Sequence, residues 1–225
     1  MISVVILFLI LALAALVARR SGLRDIVYLA ENGPMAIHLP LSAARVGAFS
    51  THTAHPKVLA LAERVFSGIL GMPLRIHNPY VDLTKAEVVG RVLQRLPETL
   101  AMSNSCWMNA RLPAARSHCG KCIPCFMRRI AIEMHVPDPT PYARDVWAED
   151  VSGLPPEDDG RRNVSDLGEF ALRISRSSDE EIISDWPELI SEHFDVGQAI
   201  PMYRRFAREA LTVLSRYPGL HPFIS

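Results

Sequence analysis

An α/β fold with a parallel sheet is the architecture this 225-residue chain predicts. Two observations carry that expectation. Helix-length apolar patterns alternate with short β-branched runs in the order helix, strand, helix, strand, helix. Both strand-like runs end at turn formers, Asn32-Gly33-Pro34 and Asn78-Pro79. With 49% hydrophobic residues, the chain can bury one real core and a small appended unit. Lys plus Arg (24) equals Asp plus Glu (24), so the total charge gives no case for nucleic acid or an acidic membrane as main partner.

The first pattern is ISVVILFLILALAALVA, residues 2–18, with Ser3 its one polar side chain and Arg19-Arg20 after it. As a helix it is about 25 Å long, slightly short of a ~30 Å hydrocarbon core. The lack of a basic lead and of a small-residue cleavage pattern argues against a cleaved signal peptide. Two readings stay open. One is a membrane anchor that keeps the rest cytoplasmic by its Arg pair. The other is a cytoplasmic protein with this helix buried against a parallel sheet.

Asp25 to Ala30 (DIVYLA) reads as a buried strand, ended by the ENGP turn. Residues 35–55 read as irregular and finish in STHTAHP. Pro56 suits the first turn of a helix through Leu70. Leu74 to Tyr80 (LRIHNPY) reads as the second strand. Thr84 and Glu87 then form a capping box, with Val88, Val89, Val92, Leu93 and Leu96 as the apolar face of the helix they start. Ligands of such folds lie beyond the C-terminal ends of the strands. That points to Glu31 and Asn32, to Thr51, Thr53 and His55, and to Lys85 as candidate substrate or nucleotide contacts. Each also has a plain structural use, as a turn, loop or surface residue.

Four cysteines, Cys106, Cys119, Cys122 and Cys125, are all the chain has. Two disulfides and one metal site are both arithmetically open. The C-x2-C-x2-C spacing crowds three sulfurs too tightly for easy pairing and suits one tetrahedral ion, with Cys106 as fourth ligand. Gly120 permits the tight turn. Four thiolates leave no open coordination position, so zinc here is expected to be structural. His118 reads as a solvated neighbour. A helix follows through CFMRRIAIEMH. Residues 151–162 read as an exposed linker and 163–225 as a helical tail. In that tail Ser178 and Glu181 offer a second capping box, and Ile200, Tyr203, Phe206, Ala207, Ala210, Leu211 and Leu214 form one stripe. No Ser-His-Asp or Cys-His nucleophile arrangement is present, and no catalytic residue is assigned.

NPYVDLTKAEVV, then NSCW, then CGKCIPCFMRR resembles the C-terminal half of the 7-cyano-7-deazaguanine synthase (QueC) family, over roughly residues 4–136. The match carries over the four zinc cysteines together with Thr84, Lys85, Glu87 and Arg128. It implies a partial parallel-sheet fold of the adenine nucleotide alpha hydrolase (PP-loop) type in residues 1–150, with the zinc loop at 104–128. It also implies an ATP-dependent ligase that adenylates a carboxylate and lets ammonia or an amine displace AMP. Lys85 and Arg128 become candidate phosphate or substrate contacts on that resemblance.

Two departures shape the expectation. The family's substrate loop is replaced by ENGPMAIHLPLSAARVGAFSTHTAHP. That loop, with the helical tail, is more similar to the QueC-like protein of the Qat anti-phage defence system. The family's Ser-Gly-Gly-x-Asp-Ser phosphate loop does not occur in these 225 residues. The chain is therefore expected to be an N-terminally truncated and inactive fragment, with ATP and Mg²⁺ bound only by a full-length enzyme. Expected partners are a small-molecule or protein-borne 7-deazaguanine-type substrate and defence-operon proteins, with a homodimer the assembly to look for. The alternative is a non-enzymatic zinc-binding protein, anchored through residues 2–18 or serving as a subunit of a defence complex.

Overall fold

The computed structural model describes residues 2–22, 26–42, 54–113 and 116–225. Its elements are α1 (Ile2–Arg20), β1 (Ile26–Tyr28), α2 (Gly33–Ile37), α3 (Pro56–Leu70), β2 (Arg75–His77), α4 (Lys85–Arg95), α5 (Thr99–Met102), α6 (Ile123–Glu133), α7 (Asp159–Arg176), α8 (Asp179–Asp185) and α9 (Val196–Leu214). The chain forms two compact units, Met1–Leu83 with Ile183–Met202, and Thr84–Ile182 with Tyr203–Ser225. The boundaries predicted at residues 150 and 162 both fall inside the second unit.

In the first unit β1 and β2 pair in parallel, Val27 opposite Ile76, as the β-helix-β order requires. Both strands are three residues long, shorter than the apolar runs suggested. Asn78 extends the pairing past their ends: its Oδ1 accepts from the Glu31 and Tyr80 N–H groups, and its Nδ2 donates to the Glu31 carbonyl. At the other edge of β2 the Ile76 N–H donates to Glu63 of α3 at 3.0 Å. The core gathers Leu11 and Ala15 of α1, Leu59, Ala62, Phe66 and Leu70 of α3, and Leu74. Residues 2–18 are thus helical, with Leu11 and Ala15 buried in this core, and among the described residues no helix is long and apolar enough to cross a membrane.

Residues 33–37, expected as turn and loop, are the short helix α2. Asn32 holds its N-cap position, with its backbone carbonyl accepting the Ala36 N–H at 2.8 Å, and Pro34 stands in its first turn. Those two residue types open helices as readily as they close strands. Gly33 is required by space, since a Cβ there would run into the Val81 carbonyl and Met202. The Trp186 indole N–H reaches the Pro40 carbonyl at 3.0 Å and ties the 183–202 segment to this unit.

In the second unit α4 packs on α6 through Ala86, Val89, Ala131 and Ile132, with Leu100 of α5 in the same cluster. The Thr84–Glu87 capping box forms as predicted, at 3.1 and 2.8 Å, and so does that of Ser178 and Glu181. The stretch 151–162 holds a 3₁₀ turn, Val151–Gly153, with Val151 fully buried, and then the first residues of α7. Asp158 caps α7 by accepting from Gly160 and Arg161 N–H. One face of α7, Val164, Leu167, Phe170, Ala171 and Ile174, is buried at helical spacing.

Candidate metal centre

All four cysteines are free and buried. Their sulfurs lie within 4.8 Å of one another. Cys122 and Cys125 are 3.4 Å apart, Cys119 and Cys125 3.9 Å. A Zn–S bond of about 2.3 Å sets tetrahedral S···S edges near 3.8 Å, so the donor set fits a single zinc ion.

Local backbone geometry builds this arrangement. Gly120 sits at φ +75°, the left-handed region. That turn brings Cys119 and Cys122 together, and Cys122 stands at the N-cap position of α6, its carbonyl accepting the Phe126 N–H, with Pro124 in the first turn. Cys106 arrives from a separate loop, and its sulfur accepts the N–H groups of Met108 and Cys119, both at 3.3 Å. Without a metal the thiols share protons poorly. Hydrogen bonds from Cys122 and Cys125 draw Cys119 well below the usual thiol range. The bond to Cys119 pushes Cys122 above that range. A dication removes the conflict by favouring thiolates at every position.

His118 is 1% exposed rather than solvated. One ring nitrogen accepts the Ser105 N–H at 3.1 Å, and the other meets the Ser117 hydroxyl at 2.7 Å. It therefore joins the Cys106 loop to the Cys119 loop. Burial holds its pKa below the ordinary value, with Arg128 and Lys85 adding to the effect. Sequence reasoning missed this role; the one available signal was the residue's place beside a ligand.

Arg128 is 4% exposed. Its guanidinium donates to Thr140 Oγ1 (2.9 Å), Ser103 Oγ (2.7 Å) and the Leu100 carbonyl (2.8 Å). The geometry makes it a strut between α6 and the segments on either side of the cysteine loop. Lys85 is the first residue of α4. Glu31 and Asn32 stand just past β1, where the Glu31 carboxylate accepts from the Asn32 backbone and side-chain N–H groups. His55 caps α3 by accepting the Lys57 N–H. Thr51 and Thr53 lie outside the described residues. The zinc candidates are thus gathered in one place in the second unit. Glu31, Asn32 and His55 belong to the first.

The first unit has a cavity of about 340 Å³ at the C-terminal end of β2. His77, Asn78, Asp82, Phe194 and Gln198 are among its lining. Of these only Asn78 lay in a strand-end turn that the sequence marked.

Residues 49–136 match the family model described as "Queuosine biosynthesis protein QueC". The chain is also similar to the 7-cyano-7-deazaguanine synthase of an Anaeromyxobacter species, 37% identical over 79 residues, which is 35% of this chain and 32% of that protein. The enzyme of the same name from Saccharophagus degradans is 36% identical over 91 residues, 40% of this chain and 38% of the relative. That of Gloeobacter violaceus is 38% identical over 89 residues, 36% of each. The chain spans about a third of the length of these curated relatives. No solved structure matches it significantly.

Proposed function

We propose that this chain is the zinc-bearing part of an ATP-dependent ligase of the 7-cyano-7-deazaguanine synthase type, acting on a deazaguanine-type substrate in anti-phage defence. The observation that carries the reading is one stretch, residues 49–136, that matches QueC and contains both the Thr84–Lys85–Glu87 helix start and a complete, gathered set of four cysteines. The defence assignment is supported by the 31–56 loop and by a helical segment that continues far past residue 136.

In the proposed reaction a substrate carboxylate oxygen attacks the α-phosphorus of ATP and pyrophosphate leaves. Ammonia or an amine then displaces AMP from the acyl carbon. Zinc, held by Cys106, Cys119, Cys122 and Cys125, would supply no step, because four thiolates leave no open position. Its contribution is to hold the loop and start α6. The β2-end cavity suits the heteroaromatic base. Phe194 brings an aromatic ring to its lining, and the Asp82 carboxylate, which also faces the Gln198 amide, is the acceptor proposed for the ring N–H and amino groups of a guanine-like edge.

The test is calorimetry with 7-carboxy-7-deazaguanine on protein carrying one equivalent of zinc. Saturable binding, weakened about tenfold or more by Asp82→Asn, is the expected result. No binding by the zinc-loaded chain removes the β2-end cavity as the substrate site, and no ATP turnover by the protein extended through its upstream reading frame sinks the ligase reading and leaves a non-enzymatic zinc protein.

A further inference from the structure

We propose that the segment from Tyr142 through α7 is a clamp on the cysteine loop, so that retention of the metal and docking of this segment are reciprocally coupled. The inference rests on the cysteine set being a metal site and concerns residues beyond the QueC-matching stretch.

Three sets of contacts join the two parts, all within the second unit. The first is backbone pairing. His118 bridges to Tyr142 in parallel fashion. The Ala143 N–H donates to the His118 carbonyl at 2.8 Å and that of Arg144 to the Cys119 carbonyl at 3.2 Å. Gly120 is pressed so closely that a Cβ would run into the Arg144 carbonyl. The Tyr142 side chain packs against the cysteine cluster itself.

The second set fixes α7. The Arg144 guanidinium donates to Glu149 through two nitrogens (2.6 and 2.8 Å) and to Asp158, the α7 cap, at 2.7 Å. The Asn163 amide donates to the Lys121 carbonyl at 2.7 Å, and Lys121 Nζ pairs with Asp159 at 3.0 Å. The third lies one turn beyond Cys125. Arg129 is stacked among Tyr142, Trp147 and Tyr217, 4.8–5.6 Å from their centroids, and ion-paired with Glu133 and Asp145.

The exposed Lys121–Asp159 pair is worth little alone. The backbone pairing and the Asn163 bond are different, because they require the loop conformation that a bound ion imposes. The clamp docks only on that conformation and in turn opposes the opening through which the ion leaves. At equilibrium, linkage makes the effect of docking on zinc affinity equal to the effect of zinc on docking.

The experiment uses the full chain loaded with zinc. Transfer of zinc to a chromogenic chelator is timed for the parent protein and for Arg144→Met/Asn163→Ala, in which neither altered side chain bonds a cysteine and the backbone bond from residue 144 to Cys119 is kept. The clamp predicts one equivalent of bound zinc in both and metal loss about tenfold faster in the variant, within the usual span of coupling. Hydrogen exchange supplies the reverse reading: chelated parent protein loses amide protection in 142–176 together with 106–125. Unchanged metal-loss kinetics, or exchange confined to 106–125, overturns the clamp. A parent protein that binds no zinc overturns the metal site instead. Should the double variant misfold, Asn163→Ala alone is timed in the same way.

Discussion

Two helices of similar length, α1 with 19 residues and α7 with 18, use their sequences in opposite ways. Almost every residue of α1 is apolar, yet its described part buries one narrow stripe: Leu11, Ala15 and Ala18. Phe8, Leu9, Ile10, Leu13, Leu16 and Val17 remain 39–60% exposed. The polar-rich α7 puts Val164, Leu167, Ala171 and Ile174 at 0% exposure and Phe170 at 2%. The contrast teaches that burial follows the period of apolar residues, not their number. In α1 composition permits many faces, and the close approach that Ala15 and Ala18 allow selects one. In α7 the pattern leaves a single choice.

The comparison breaks most readily at α7. Phe170→Ala removes a ring packed near Tyr203 and Phe206, and should cost the second unit about 3–5 kcal/mol in chemical denaturation. A loss below about 1 kcal/mol would mean the α7 face is not core. Leu11→Ala in α1 should cost the first unit about 2–4 kcal/mol, because Leu11 sits at 2% exposure in its stripe.

A smaller effect comes from pH. Glu209, whose carboxylate accepts the Thr84 hydroxyl at 2.7 Å, is raised by burial to about 7. The folded state therefore holds a proton that the unfolded state releases near the ordinary carboxylate pKa. Stability should be highest below about pH 4.5 for this group alone and fall as pH rises to about 7. Glu209→Gln should flatten that slope, read as midpoint denaturant concentration between pH 5 and 8. An unchanged slope would refute the assignment. The smallest effect belongs to the exposed face of α1. Leu13→Lys and Leu16→Lys should each change stability by no more than about 0.5 kcal/mol. A cost above about 2 kcal/mol would show that this face is covered in solution and would remove half of the contrast.

Much of this architecture could be read from residues in order. The four cysteines announced one site because their spacing is a metal spacing. The Thr84–Glu87 box and the Pro56 start located two helices by local chemistry alone. What escaped depends on partners distant in sequence. His118 looked like a surface neighbour until Ser105 was seen to donate to it. Arg128 was a candidate phosphate or substrate contact, and its three bonds to Leu100, Ser103 and Thr140 could not be read from the sequence around it. The placing of 183–202 with the first unit rests on contacts such as Trp186 to Pro40, across a separation that no local pattern encodes. α2 was missed for the opposite reason, since Asn-Gly-Pro serves turn and helix start alike.

The Glu63 contact gives the small sheet a direction. Its carboxylate occupies the Ile76 N–H on the margin of β2 that faces away from β1, since the neighbouring His77 carbonyl is turned towards β1 and accepts from Leu29. A strand arriving at that margin would have to evict a carboxylate and leave its charge stranded in a drying seam. The sheet therefore has a stopper on one side. Three-residue strands already offer an incoming chain few backbone groups to pair with, and here a single acidic side chain closes one of the two margins at which such pairing could begin.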